Sequence, residues 1–304
     1  MVNPKIKKAL KNPYYVCELV LNKLARYVSD ENFVKWKYYL NFHRKLNLED
    51  PQTFNEKLQW LKLNDQHEEY TQMVDKYEAK KYVSSIIGEE YIIPTLGVYD
   101  SFDEIGFSKL PSQFVLKCTH NSGGVIICKD KDVLDIDGAR KQVNKWLKKN
   151  PYWKNREYPY KNVKPRIIIE QYMEDESGYE LKDYKFFCFN GDAKYIFVAS
   201  DRGKVNEETK FDFYDIEWKH LSFTNGHPNS NKKMVKPENY DKMVEISQKL
   251  SQGIPHVRVD LYNIHGNIYF GELTFFHWSG LTPFVPEEWD YKFGEWLKLP
   301  HKKS

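Results

Sequence analysis

The stretch H-V-R-V-D-L-Y-N-I-H-G-N-I-Y-F-G-E-L-T, residues 256–274, decides the fold. Apolar Val257, Val259 and Leu261 alternate with polar Arg258, Asp260 and Tyr262, the period of a half-buried strand. His265, Gly266 and Asn267 form a turn, and a second strand beginning at Ile268-Tyr269-Phe270 delivers Glu272 and Thr274. Such a hairpin can bring Asp260 and Glu272 together on one sheet face. Two carboxylates held close repel unless a cation lies between them, and oxygen donors on a rigid scaffold suit Mg²⁺ with phosphate oxygens completing its shell. Arg258, two residues from Asp260, shares that face and can stabilise a developing oxyanion. The other reading of the stretch is an ordinary amphipathic hairpin with its charges in water.

The rest of the chain narrows the choice. Its 304 residues can bury a sizeable core, and 16% aromatic with 29% charged residues marks a globular chain. A net charge of +3 is too small to imply a nucleic-acid partner. No apolar run is long enough to span a bilayer, and the Lys-rich start lacks the apolar centre of a signal peptide, so a cytoplasmic protein is expected. Cys17, Cys118, Cys128 and Cys188 show no CxxC pairing and read as reduced structural thiols.

Residues 1–50 read as helices, with ten Lys/Arg against three Asp/Glu between Met1 and Lys45. Their basic face suits an anionic lipid surface or plain solvent. Thr53 and Glu56 have the spacing of a capping box before a helix with Phe54, Leu58 and Leu61 on one face. A helix over Gln72–Ile87 carries Asp75-Lys76, where a lysine can reach a phosphate. The strand F-V-L-K at 114–117 ends in Lys117 and runs into Cys118-Thr119-His120-Asn121-Ser122-Gly123-Gly124. A loop of that composition can fold its N–H groups over phosphates, although Ser-Gly-Gly also serves as a simple turn. The apolar strand 166–169 exits as Glu170-Gln171-Tyr172-Met173, whose backbone can bond an adenine edge while Tyr172 and Met173 pack beside the ring. Asn190-Gly191 turns a hairpin whose first strand puts Lys185 on one face with Asp183.

Four motifs, F-N-E-K-L-Q-W (54–60), F-V-L-K-C-T-H-N-S-G-G (114–124), D-Y-K-F-F-C-F-N-G (183–191) and R-V-D-L-Y with F-G-E-L-T-F (258–275), resemble the TupA-like ATP-grasp family over roughly residues 50–299. That family is associated with teichuronopeptide and surface-polysaccharide synthesis in bacteria. The resemblance implies an α+β ATP-grasp fold with an extra N-terminal helical segment at 1–70. An α/β part at 71–112, a lid subdomain with the phosphate loop at 113–172 and a C-terminal subdomain with the metal-binding hairpin at 173–304 would follow. It further implies that Lys76 and Lys117 hold the α- and β-phosphates of ATP beneath His120, Ser122, Gly123 and Gly124. Glu170, Gln171, Tyr172 and Met173 would form the adenine hinge, with Glu180 or Asp183 on the ribose. Lys185 would meet the γ-phosphate, Asp260 and Glu272 would bind Mg²⁺ with Thr274 as a further oxygen ligand, and Arg258 and Arg202 would face the reacting carboxyl group. The chain departs from the general pattern at Thr274, where many members carry Asn, and at His277-Trp278-Ser279-Gly280, where Trp278 offers an aromatic platform for a sugar ring.

The implied activity is an ADP-forming carboxylate–amine ligase that attaches an amino acid or amine to a uronic-acid saccharide at the inner face of the membrane. The competing reading is a glycosyltransferase, resting on the D-x-D spacings Asp130/Asp132 and Asp135/Asp137.

Overall fold

Alternating apolar residues build two antiparallel sheets. A computed structural model of the chain describes residues 13–178, 181–201, 208–230, 232 and 234–301. The first sheet contains β1 (Thr95–Tyr99), β2 (Phe114–Cys118), β3 (Val125–Cys128) and β4 (Ile167–Gln171), in the order β1-β4-β2-β3. Residues 95–99, expected with the unit before 113, thus form its edge strand. Its inner face carries Phe114, Leu116, Ile167 and Ile169, which pack on Ala139 and Val143 of the helix Ile136–Leu147.

The second sheet contains β5 (Asp183–Phe189), β6 (Asp192–Ser200), β7 (Lys210–Asp215), β8 (His220–Leu221), β10 (Val257–Ile264) and β11 (Asn267–Thr274). Its order is β11-β10-β5-β6-β7-β8, so the Asp260 strand lies between the Glu272 and Lys185 strands. A short ribbon pairs β9 (Thr224–Asn225) with β12 (Phe284–Val285). Val257, Val259 and Leu261 are fully buried in the main core, which also takes Met243, Ile246 and Leu250 from the helix Tyr240–Leu250.

Period-two alternation would carry Glu272 into that core behind Ile268 and Phe270. A bulge prevents this. Leu261 pairs with Phe270, yet Asp260 pairs with Glu272, so Gly271 is the extra residue. The phase of β11 reverses there: Leu273 is buried while Glu272 and Thr274 join the face of Asp260 and Arg258. A Cβ at Gly271 would stand 3.0 Å from the Asp260 carbonyl oxygen, which is why glycine fits the close approach.

The helix Phe54–Asn64 begins at the expected capping box, with Thr53 Oγ1 accepting the Glu56 N–H and Glu56 accepting the Thr53 N–H. It packs on the C-terminal helix Glu288–Trp296 through Asn55, which bonds the Asp290 carboxylate. The helix expected over Gln72–Ile87 is two helices, Glu69–Val74 and Glu78–Ile87. Asp75 breaks it: its Oδ1 accepts the Tyr77 and Glu78 N–H groups at 2.8 and 3.2 Å and caps the second helix. The four cysteines are free as expected, but Cys17 is exposed.

Candidate active site

On the second sheet, Lys185, Asp260 and Glu272 stand abreast on three neighbouring strands. Asp260 is fully buried and carries two cations. Arg258 grips it with a fork, Nε to Oδ1 and Nη2 to Oδ2, both 2.7 Å. Lys185 donates to Oδ2 and also stands 3.5 Å from Asp183. Burial pushes the Asp260 carboxyl upward, but with both oxygens on cations the geometry holds it ionised.

Glu272 differs. It keeps 39% of its side chain exposed, and its Oε1 lies 3.3 Å from both Arg258 Nη2 and Thr274 Oγ1. Desolvation works to raise its pKa, yet Lys76, Lys185 and Arg258 outweigh that and hold the carboxyl at about 2. Thr274 Oγ1 also accepts from Arg258 Nη2 at 3.0 Å. The expected face is therefore assembled, with Arg258 lodged among the three oxygen donors.

Three further lysines lie on the helix break, the following helix and the smaller sheet. Lys76 lies in the helix break rather than in a helix, and two bonds tie it to the glycine loop. Its N–H donates to the Thr119 carbonyl at 3.1 Å and its amine to the Asn121 carbonyl at 2.7 Å. Burial lowers the Lys76 pKa, and Glu272 of the hairpin is the strongest charge opposing that. Lys117 pairs with Glu170 at 2.6 Å, and Lys80 closes on the other Glu170 oxygen. Burial raises the Glu170 carboxyl, but Lys117 and Lys80 prevail and keep it ionised.

The Glu170 side chain is a buried counter-ion between two lysines, which leaves its backbone for the expected hinge. Lys80, which the sequence did not single out, shares that carboxylate with Lys117.

Gln171 and Tyr172 line an open cavity of about 780 Å³ with Leu96, Gln113 and Lys129, next to Met173 in the chain. His120 does not face the loop's exposed glycine side. Its ring is buried and donates through Nε2 to the Trp146 carbonyl at 3.2 Å, a packing role. Asp183 is buried beside Lys185 and not open to a ribose. Ser122 and Gly123 are exposed at the loop tip, with Gly123 at φ +80° and Gly124 under the Asn121 side chain. Arg202 and Glu180 lie outside the described residues.

The D-x-D acids have other employment. Asp130 accepts the Asp132 N–H at 3.0 Å and Asp135 the Gly138 N–H at 2.9 Å, so each caps a helical turn. The first acid of each D-x-D pair thus has a structural role that accounts for the spacing.

One connection joins residues far apart in the chain. His277, 52 residues from Asn225 in the chain, lies between Arg258 and Asn225, with Nδ1 2.7 Å from Arg258 Nη1 and Nε2 2.8 Å from Asn225 Oδ1. No local pattern could have announced it.

Among the described residues, no three His, Cys, Asp or Glu side chains group to hold a metal ion by themselves. The donors still fit Mg²⁺, which commonly takes one or two carboxylates and fills its shell with substrate phosphates and water. Glu272 is ionised and accessible, Asp260 is its cross-strand neighbour and Thr274 adds a hydroxyl. Charge points the same way. Lys76, Lys80, Lys117, Lys185 and Arg258 face Asp183, Asp260, Glu170 and Glu272, and a triphosphate would swing this near-balance strongly negative.

Residues 56–298 match the family model described as TupA-like ATPgrasp. Among solved structures, the chain is similar to the D-alanine–D-alanine ligase from Bacillus anthracis complexed with ATP. That match has 14% identity and a TM-score of 0.41, covering 73% of this chain and 66% of that one. It is also similar to the L-amino acid ligase from Bacillus licheniformis, at 12% identity and a TM-score of 0.47, over 84% of this chain and 57% of that one. The D-alanine–D-alanine ligase from Helicobacter pylori has 16% identity and a TM-score of 0.40, with 76% and 60% covered. The chain thus spans between about half and two thirds of the length of these structures. No curated protein sequence matches it.

Proposed function

The chain belongs to the TupA-like ATP-grasp family, and from that premise we propose that it is an ATP-dependent carboxylate–amine ligase working through an acyl phosphate. The observation that carries this is the Lys185–Asp260–Glu272 row on three adjacent strands, with Lys76 near enough to help hold the Glu272 carboxyl ionised and Lys117 near Lys76. Phosphoryl transfer asks a protein for charge neutralisation and alignment, with no covalent help, and this row supplies both without a nucleophilic Ser or Cys.

Lys76 and Lys117, tied to the glycine loop and to Glu170, bind the inner phosphates, while the hinge from Gln171 to Met173 takes the base. Lys185 meets the terminal phosphate. A substrate carboxylate oxygen then attacks the γ-phosphorus, the bond to the β-phosphate oxygen breaks, and ADP and an acyl phosphate result. Mg²⁺, held by Glu272 with Asp260 and Thr274, would neutralise the phosphate oxygens during that step. Next the amine attacks the acyl carbon. Arg258 stabilises the tetrahedral oxyanion, the amine loses its proton, and inorganic phosphate leaves behind an amide.

The carboxylate substrate we assign is a uronic acid of a surface saccharide or its precursor, and the amine an amino acid. The family's association with teichuronopeptide synthesis supports this, as does Trp278, a residue 42% exposed whose ring packs against Phe211 and His227 beside the Arg258 site. A cytoplasmic location follows from the use of ATP. Contact with the inner membrane surface would fall to the helices Pro13–Lys23 and Asp30–Phe42. Between them lies an apolar groove of about 370 Å³, lined by Val16, Val20, Leu24, Trp36, Tyr39 and Leu40. Among the described residues, no helix is long and apolar enough to cross a membrane.

Thermal unfolding with Mg²⁺–ATP and, separately, with UDP-sugars separates ligase from glycosyltransferase. A ligand at a hundredfold excess over its Kd adds about 2.7 kcal/mol to stability. The expected result is a raised melting temperature with Mg²⁺–ATP and none with UDP-sugars. Mass spectrometry of a mixture of ATP, Mg²⁺, a uronic-acid saccharide and pooled amino acids should then show an amide product and ADP. Stabilisation by UDP-sugars alone would sink the reading.

A further inference from the structure

Arg258 is held at both ends, and the second end has no role in the reaction proposed so far. A guanidinium has five N–H donors and no acceptor. Nε–H goes to Asp260 Oδ1, and Nη2 serves Asp260 Oδ2, Thr274 Oγ1 and Glu272 Oε1. Nη1 lies 2.7 Å from His277 Nδ1. One Nη1 hydrogen remains with no acceptor among the described residues.

The network fixes the His277 tautomer. Asn225 Nδ2 donates to the Thr282 and Pro283 carbonyls, each at 3.1 Å. Carbonyls only accept, so the amide nitrogen must face them and Oδ1 must face His277. Asn225 Oδ1 then accepts from His277 Nε2–H at 2.8 Å. His277 Nδ1 therefore carries a lone pair, and Arg258 Nη1 donates to it. Asn225 and His277 are 1% and 2% exposed, so water does not compete for these bonds.

The backbone under His277 is clamped. Trp278, Ser279 and Gly280 run in left-handed conformation at φ 47°, 58° and 59°, which is costly for the first two. The helix Phe54–Asn64 enforces it. Gln59 Nε2 donates to the Ser279 and Gly280 carbonyls at 3.0 and 2.7 Å, and Lys62 Nζ donates to the Ser279 carbonyl at 2.8 Å. A Cβ at Gly280 would stand 2.5 Å from the Gln59 amide and 2.9 Å from Leu58 Cβ, so the turn is seated hard on that helix.

We propose that His277 is a positioning residue. Through Nδ1, itself oriented by Asn225, it sets the Nη1 end of Arg258 so that the remaining Nη1 hydrogen meets an oxygen of the acyl substrate. The role assigned to that oxygen rests on the ligase reading; the pinning of Arg258 does not.

The experiment has two arms. In the first, ¹⁵N NMR of the histidine-labelled wild-type chain near neutral pH reads the His277 ring, assigned by its loss in His277→Phe. The expected result is the Nε2–H tautomer with an unprotonated, hydrogen-bonded Nδ1. A ring protonated at Nδ1 overturns the proposal whatever the activity.

In the second arm, His277→Phe keeps the aromatic contacts with Phe187 and Phe197 but removes the acceptor. Nucleotide affinity should stay within ~3-fold while kcat falls on the order of 10²-fold, since the lost contact acts on the transition state. His277→Asn, whose Oδ1 can stand in for Nδ1, should recover part of kcat. Asn225→Leu should lower kcat in the same sense, and it serves if His277→Phe does not fold. Unchanged kcat in both His277→Phe and Asn225→Leu overturns the positioning role and leaves the ligase reading intact. If the wild type shows no ATP-dependent turnover but the ring is the Nε2–H tautomer, the pin stands and the ligase reading falls alone.

Discussion

At the scale of single residues, the two acids of the hairpin divide their labour by exposure. Asp260 is fully buried and its oxygens are spoken for by Arg258 and Lys185, whereas Glu272 is accessible and ionised. Glu272 is therefore the acid more open to a cation that carries a phosphate. Glu272→Gln keeps the shape and the contact with Thr274 but removes the charge. ATP turnover should drop by on the order of 10²–10³, the scale of losing one electrostatic stabiliser, with the melting temperature little changed. Wild-type turnover in this variant would take Glu272 out of the reaction. Arg258, Asp260, Lys117 and Lys185 were legible because alternation places them in strands, and Glu272 because it lies on the second strand of the same hairpin, although the bulge and not its spacing sets its face. Partnerships were not legible. That Lys80 shares Glu170 with Lys117, that His120 turns to Trp146, and that Asn225 reaches His277 all depend on which elements meet in space, and periodicity carries no such information.

At the scale of elements, the hairpin works because it is irregular. Gly271 shifts the register by one residue, and that shift puts Glu272 beside Asp260 instead of behind Phe270. A glycine inside a strand pattern is the usual mark of a bulge, so the sign stands in the sequence at Gly271 itself. Gly271→Ala would press a methyl group to 3.0 Å from the Asp260 carbonyl oxygen and 3.3 Å from the Tyr262 ring. That carbonyl belongs to a central strand bonded on both sides and cannot retreat freely. The variant should lose about 1–3 kcal/mol of stability, as overpacking does, and should lose turnover as Glu272 moves off Asp260. Full activity with full stability would mean the register does not depend on this glycine. The helix break at Asp75 follows the same logic: local capping overrides a continuous apolar stripe and sets Lys76 at the loop.

At the scale of the whole molecule, the core that supports the site contains a histidine that folding keeps neutral. His256 is 2% exposed and packs among Phe54, Phe187 and Phe189, where the helix Phe54–Asn64 meets the large sheet. Its Nδ1–H donates to the Cys188 carbonyl at 2.9 Å, and Nε2 has no partner among the described residues. Burial pushes the ring's pKa down to about 3, against about 6.5 in an unfolded chain. Below pH ~6.5 the unfolded chain binds this proton and the folded one does not, so the stability His256 contributes is complete above that pH and drains away as pH falls toward 3. Asp290 works in the opposite sense over part of the range. Burial raises its carboxyl to about 6, so its contribution is present at low pH and fades as pH rises through that value. The histidine shift is the larger of the two, and urea unfolding should become easier as pH falls from 7 toward 4.5. In His256→Leu the Cys188 carbonyl loses its donor, so stability at pH 7 should fall by about 1–3 kcal/mol. Its decline with acid should also be shallower than in the wild type, because one proton-linked term is gone. Parallel declines in the two proteins would show that the neutral imidazole at the heart of the sheet does not set the acid limit of this fold.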